Sequence, residues 1–132
     1  MTDKQSMIAV QEKDNTITSL LLDRGGELAK AGKTLLDHYQ DYERVLSLVN
    51  LGDLKTLGDS PEKSYAYARD GHDDLIKENY PDIEVFDRAT DFQDDYLDYC
   101  YLYCKFEGEF MWLVRDCSAD DRQFKPLKDL LK

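Results

Sequence analysis

The chain is short of cysteine, histidine, proline and positive charge, and it has no long apolar run. Its 132 residues include three cysteines, two histidines, three prolines and one tryptophan. An odd number of thiols, at Cys100, Cys104 and Cys117, closes no complete disulfide framework. Nothing approaches the roughly 20 consecutive apolar residues of a membrane span. The first ten residues carry only the run Met7-Ile8-Ala9-Val10, so a secretory signal is not expected. Reduced thiols and a cytoplasmic location follow as expectations. Lys and Arg number 17 against 28 Asp and Glu, a net charge of −11. General binders of phosphate backbones carry the opposite balance, so neither direct nucleic-acid contact nor attachment to an anionic membrane is expected.

The motifs of catalysis are missing as well. There is no phosphate-cradling glycine loop, no nucleophile elbow and no His-Glu-x-x-His pair. Cys100 and Cys104 on a strand would stand about 13 Å apart, too far to share a zinc ion. Asp91, Asp94, Asp95 and Asp98 crowd four carboxylates into eight residues. They lack the spaced oxygens and central glycine of a calcium loop, so a solvated acidic face is the expectation. No metal and no cofactor is expected. His72 sits among Asp70, Asp73 and Asp74, and His38 between Asp37 and Tyr39. Neighbouring carboxylates favour the imidazolium form of each. A small hydrolase using His72 with Asp70, Asp73 or Asp74 is therefore the alternative to a non-enzymatic protein.

What is present is tyrosine, nine in all, and acid. The stretch 96–117 places aromatic, aliphatic and β-branched residues on both sides of Gly108, a β-hairpin signature. A two-residue turn at Gly108-Glu109 would pair Cys100 with Cys117, Phe106 with Met111, Tyr103 with Val114 and Lys105 with Trp112. Alternation then puts Cys100, Leu102, Cys104 and Phe106 on one face, read as the core beneath long helices. Tyr99, Tyr101 and Tyr103 fall with Trp112 on the other face, which suits either a second core layer or recognition.

Upstream, Ile17, Leu21, Leu28, Ala31, Leu35, Tyr42, Val45 and Val49 recur at spacings of three and four once Arg24 and His38 fill the gaps. That period predicts helix over 16–50, kinked near Gly25-Gly26, with Gly52 as a left-handed cap. Residues 1–15 read as a polar arm. Ser60-Pro61-Glu62 is a helix start, and 60–80 is expected to be helical. Ile83–Asp87 is expected to be an edge strand within a sheet over 83–117, and 124–132 a short helix. The fold class expected is α+β, in one domain over 1–132. Long or kinked N-terminal helices would pack on a small antiparallel sheet centred on the C-terminal hairpin.

Charge is unevenly distributed. Residues 1–60 carry −3, residues 61–99 carry −8, and residues 100–132 are neutral. An acidic segment leading into an aromatic hairpin suits a protein that binds a basic surface. The expected function is a small inhibitor or adaptor, monomeric or homodimeric, acting on a basic, nucleic-acid-handling protein. Its expected contacts are Asp73, Asp74, Asp91, Asp94, Asp95 and Asp98 with Tyr99, Tyr101, Tyr103 and Trp112. In composition alone the chain resembles phage-encoded anti-restriction and anti-CRISPR proteins and bacterial toxin-immunity proteins. A homo-oligomeric subunit joined through the helical stripe is a further alternative.

Overall fold

The computed structural model describes residues 5–91, 97–118 and 123–131. The first described element is a strand, β1 (Gln5–Gln11), where a polar arm was expected. Its middle five residues are all buried, because both faces of the strand are covered. A strand buried on both sides shows no alternation, which is why the sequence hides it. The chain then turns through Asp14, whose carboxylate accepts from the Thr16 backbone N–H at 3.1 Å and the Thr16 hydroxyl at 2.6 Å. It returns as β2 (Ile17–Leu22), antiparallel to β1, with Ile8 opposite Leu20.

The predicted helix over 16–50 is thus replaced at its start by half of a β-hairpin. Helix does follow, as a π-turn at Leu28–Gly32 running into α1 (Lys33–His38), then α2 (Tyr42–Val49). The break between α1 and α2 is built by Tyr39, which is fully buried. Its hydroxyl donates to the Gly58 carbonyl at 2.9 Å, and its own carbonyl accepts from Trp112 Nε1 at 2.7 Å. Arg44 holds the other side, donating to the carbonyls of His38 and Asp59. Gly52 takes the left-handed conformation after α2, with φ +78°.

The region expected to be helical over 60–80 holds only short helical pieces between two short strands and a loop. It follows β3 (Leu54–Thr56) and comprises a 3₁₀ turn at Pro61–Lys63, β4 (Tyr65–Ala66), the short α3 (Tyr67–Asp70) and β5 (Glu78–Tyr80). Ser60 does cap, accepting from the Lys63 N–H at 3.3 Å. The expected edge strand at Ile83–Asp87 is instead a helix, α4 (Ile83–Asp91). Asp82 starts it by accepting from the Val85 N–H at 2.9 Å, and Val85, Phe86 and Ala89 form its inward stripe. The hairpin is β6 (Leu97–Phe106) and β7 (Glu109–Asp116), and the C-terminal segment gives β8 (Lys125–Pro126) and α5 (Leu127–Leu130).

Together the strands make one mixed eight-stranded sheet in the order β4-β3-β2-β1-β6-β7-β8, with β5 pairing beside β2. β1 runs parallel to β6, and β2 parallel to β3. A central mixed sheet with five short α-helices overturns the expected small antiparallel sheet under long helices. Each face of the sheet carries its own hydrophobic cluster. The first face joins Ile8, Val10, Leu20 and Leu22 to Tyr101, Tyr103 and Trp112 beneath α1 and α2. The second joins Met7, Ala9 and Ile17 to Cys100, Leu102 and Cys104 beneath Phe86 of α4. α1 and α2 therefore cover the tyrosine face, and α4 covers the cysteine face.

The hairpin register also departs from expectation. Tyr103 faces Trp112, Cys104 faces Met111 and Phe106 faces Glu109. The turn is Glu107-Gly108, both with positive φ (52° and 87°), as the twist-matched two-residue turn requires. The pairing differs from the expected one by two residues, which preserves every side chain's face while changing every partner.

Candidate functional site

Three of the predicted recognition residues are core. Tyr101 is fully buried and donates its hydroxyl to the Gly26 carbonyl at 2.7 Å. Tyr103 donates to the Gln40 carbonyl at 3.0 Å, and the Trp112 indole to that of Tyr39. Each aromatic spends its polar tip on a helix-end or loop carbonyl, so these side chains bind α1 and its flanks to the sheet and present no surface. Burial raises the pKa of both hydroxyls. Tyr99 is half-buried, its ring 6.1 Å from that of Tyr101. Its pKa is raised by burial first, then by the charges of Asp116 and Asp98. Asp98 is half-buried, and its carbonyl accepts from the Cys117 N–H. The Asp91 side chain, Asp94 and Asp95 lie outside the described residues.

Asp73 and Asp74 are exposed, and the structure places them beside two residues that sequence reasoning overlooked. Leu75 and Ile76 stand 56% and 54% exposed in the middle of the most acidic part of the chain. The segment was expected to be helical, which would have turned this pair inward. It is instead an extended loop, and its backbone is pinned at both ends. The N–H groups of Gly71 and Asp73 both donate to the Tyr67 carbonyl, at 3.0 and 3.1 Å. The Ile76 carbonyl accepts from the Asp53 N–H at 2.9 Å, and Lys77 Nζ reaches Asn50 Oδ1 at 2.9 Å. Leu75 lies against Gly52, which has φ +78°, and an added Cβ there would stand 2.9 Å from the Ile76 carbonyl oxygen. The loop therefore depends on a residue with no side chain at that position.

Ionised groups surround this loop. Asp70 is held down to about 2 by Arg69, which donates to it, and by the Ala66 N–H at 2.9 Å. Asp53 accepts from the Leu21 N–H at 2.9 Å and lines a recess with Met7, Leu21, Ile76 and Glu78. Its pKa is raised by burial and then by the charges of Asp23 and Glu78. Asp23 in turn accepts from the Tyr67 hydroxyl and from Gln5, and the first bond pushes Tyr67 up to about 12. Tyr65, 38% exposed, stands at the edge of the patch, its hydroxyl within 3.2 Å of a Cβ built on Gly71. The signal available in the sequence was Leu75-Ile76 between Asp73-Asp74 and Lys77: an apolar pair with no amphipathic helix to bury it.

His72 is exposed, with φ +58°, and its charge lowers the pKa of Asp70 less than Arg69 does. An imidazole open to solvent gives acid–base chemistry no enclosed site. Among the described residues, no group of three or more His, Cys, Asp or Glu stands together to hold a metal ion. The thiols of Cys100, Cys104 and Cys117 are buried, and burial pushes Cys104 up to about 11. Arg115 was also missed. It is 3% exposed on the cysteine face, pairs with Asp87, donates to Thr90 Oγ1 at 3.0 Å and lies over the Phe124 ring. No helix among the described residues is long and apolar enough to cross a membrane. Compared with protein-family models, curated proteins and solved structures, the chain matches none.

Proposed function

We propose that this chain is a non-enzymatic inhibitor or adaptor that binds a basic surface on a nucleic-acid-handling protein, in the manner of anti-restriction or anti-CRISPR proteins. The observation that carries the reading is the exposed Leu75-Ile76 pair on a pinned loop bordered by Asp70, Asp73, Asp74 and Glu78. Single exposed apolar residues are ordinary on a protein surface. Two adjacent ones, each more than half exposed and ringed by carboxylates, combine contact area with a charge that selects the partner. The carboxylates would occupy cationic positions that otherwise hold nucleic-acid phosphates, and the apolar pair would fill a gap between them. Because both ends of the loop are hydrogen-bonded, little ordering cost accompanies binding.

The test pairs two double variants with wild type in affinity capture from host lysate, followed by titration of the captured partner. Leu75→Ser with Ile76→Ser removes the apolar pair from an exposed site without disturbing the core. Asp73→Asn with Asp74→Asn removes two charges. The apolar variant is expected to lose the partner. The charge variant is expected to bind more weakly and to flatten the decline in affinity between about 50 and about 300 mM NaCl, over which screening shortens from beyond ~10 Å to below it. Affinity indifferent to salt and to both variants overturns the reading.

A further inference from the structure

In a chain with 11 excess negative charges, one cleft has a polar lining with no carboxylate. It holds about 310 Å³ between the loop that follows β2, the π-turn with the start of α1, and the end of β3. Arg24 and Lys30 supply its cations, Thr34 and Thr56 its hydroxyls, and Ala31 and Leu57 an apolar wall. We infer that this cleft binds the phosphate group of a small phosphate monoester. The inference is independent of the acidic loop, since none of the residues lining the cleft belongs to it.

The loop is built to keep these groups in place. Asp23 and Arg24 donate their backbone N–H groups to the carbonyls of Leu54 and Lys55, at 2.9 and 3.1 Å, which ties the loop to β3. Asp23, the nearest carboxylate in sequence, is already engaged by Gln5 and Tyr67. Arg24 is exposed, so its guanidinium is open to a ligand in the cleft. Gly25 follows with φ +73° and open space where a Cβ would stand, so the backbone itself borders the cleft. Lys30 pairs with Glu27 at 3.5 Å, but both side chains are well exposed, and such a pair is weak enough to exchange for a dianion. A guanidinium fork, an ammonium and two hydroxyls offer more donors than two carboxylate oxygens can use, and the three terminal oxygens of a phosphate dianion can accept from them together. A volume near the lower end of the ~300–1,000 Å³ typical of small-molecule sites suits a sugar-sized ester and not a dinucleotide.

The test is a ¹H–¹⁵N NMR titration of the whole chain with ribose 5-phosphate, with inorganic phosphate, and with sodium chloride at matched ionic strength. The expected result is saturable shifts at Arg24, Gly25, Lys30, Ala31, Thr34 and Thr56 with the ester. The same residues should respond more weakly to inorganic phosphate, and chloride should move none of them in this pattern. Arg24→Gln, at an exposed position, is expected to weaken the ester by about tenfold, the loss of one charge-assisted hydrogen-bond set. Thr34→Val serves as a second variant with the charge retained, and several-fold weakening is expected. The site is overturned if chloride reproduces the shifts, if no saturable shift appears, or if Arg24→Gln leaves the affinity unchanged. Inorganic phosphate binding as tightly as the ester overturns the assignment to a monoester.

Discussion

The hydroxyl of Tyr101 shows how much of this protein rests on single polar atoms inside the apolar layer. It donates to the Gly26 carbonyl from a fully buried ring, so Tyr101→Phe leaves that acceptor with only the long 3.4 Å bond from the Ser6 hydroxyl. The expected cost is about 1 kcal/mol in urea unfolding, the net value of an average hydrogen bond, because the Ser6 hydroxyl still reaches the carbonyl. Asp53 sets a pH dependence of the opposite kind to most carboxylates. Its folded pKa is raised above the ordinary 3.8, chiefly by burial. The folded state therefore holds this proton more tightly than the unfolded state. The contribution of Asp53 to stability is fully present below the unfolded value and is lost as pH rises through the folded one. Asp53→Asn, whose amide oxygen can still accept from Leu21, is expected to be at least as stable as wild type at neutral pH. Its advantage should shrink as pH falls toward about 4, and urea midpoints at a series of pH values check both statements.

The hairpin turn offers the clearest case at the level of elements. Glu107 and Gly108 both adopt positive φ, a conformation that glycine takes freely and glutamate does not. Asparagine tolerates it far better, so Glu107→Asn is expected to stabilise by about 0.5 kcal/mol, whereas Gly108→Ala should destabilise by about 1 kcal/mol. Thermal unfolding of the two variants measures both signs. The same turn explains what could be read from the sequence. The strands β6 and β7 and the division of their faces were legible, because alternation survives a register error of two. Which face α1 and α2 cover was not, since Cys-Leu-Cys and Tyr-Tyr-Trp can each fill a core layer, the aromatics once their polar tips find carbonyls. β1 and β2 were hidden for a different reason: Met7–Val10 and Ile17–Leu22 are buried on both sides and lack a period of two. The spacing that mimicked one helix through residues 16–50 joins a strand, a glycine turn and two helices. Within the proposed binding surface, Asp73 and Asp74 were chosen from charge alone, but Leu75 and Ile76 depended on knowing that no helix forms there.

For the whole molecule, charge acts in two opposed directions. The chain carries −11, and Lys and Arg bridge the carboxylates of Glu27, Asp37, Asp70 and Asp87. Three of these four bridges pair exposed or half-exposed side chains and contribute little, so mutual repulsion among the remaining acids opposes the compact state. Adding salt screens that repulsion. Raising NaCl from about 20 to about 300 mM is expected to raise Tm by about 3 °C, corresponding to roughly 1 kcal/mol for a chain of this size. The same addition should weaken binding to a basic partner, because the attraction between the two proteins is screened with the repulsion within one. Stability and affinity must then move in opposite directions with ionic strength. Differential scanning calorimetry and a binding titration over one salt series test this directly. A Tm that falls with salt would show that attractive pairs dominate the folded state. Loss of binding at a salt concentration where Tm has risen separates a surface electrostatic effect from unfolding. Asp73→Asn with Asp74→Asn should reduce both slopes at once, since the loop that carries these carboxylates is both part of the repulsion and part of the proposed contact.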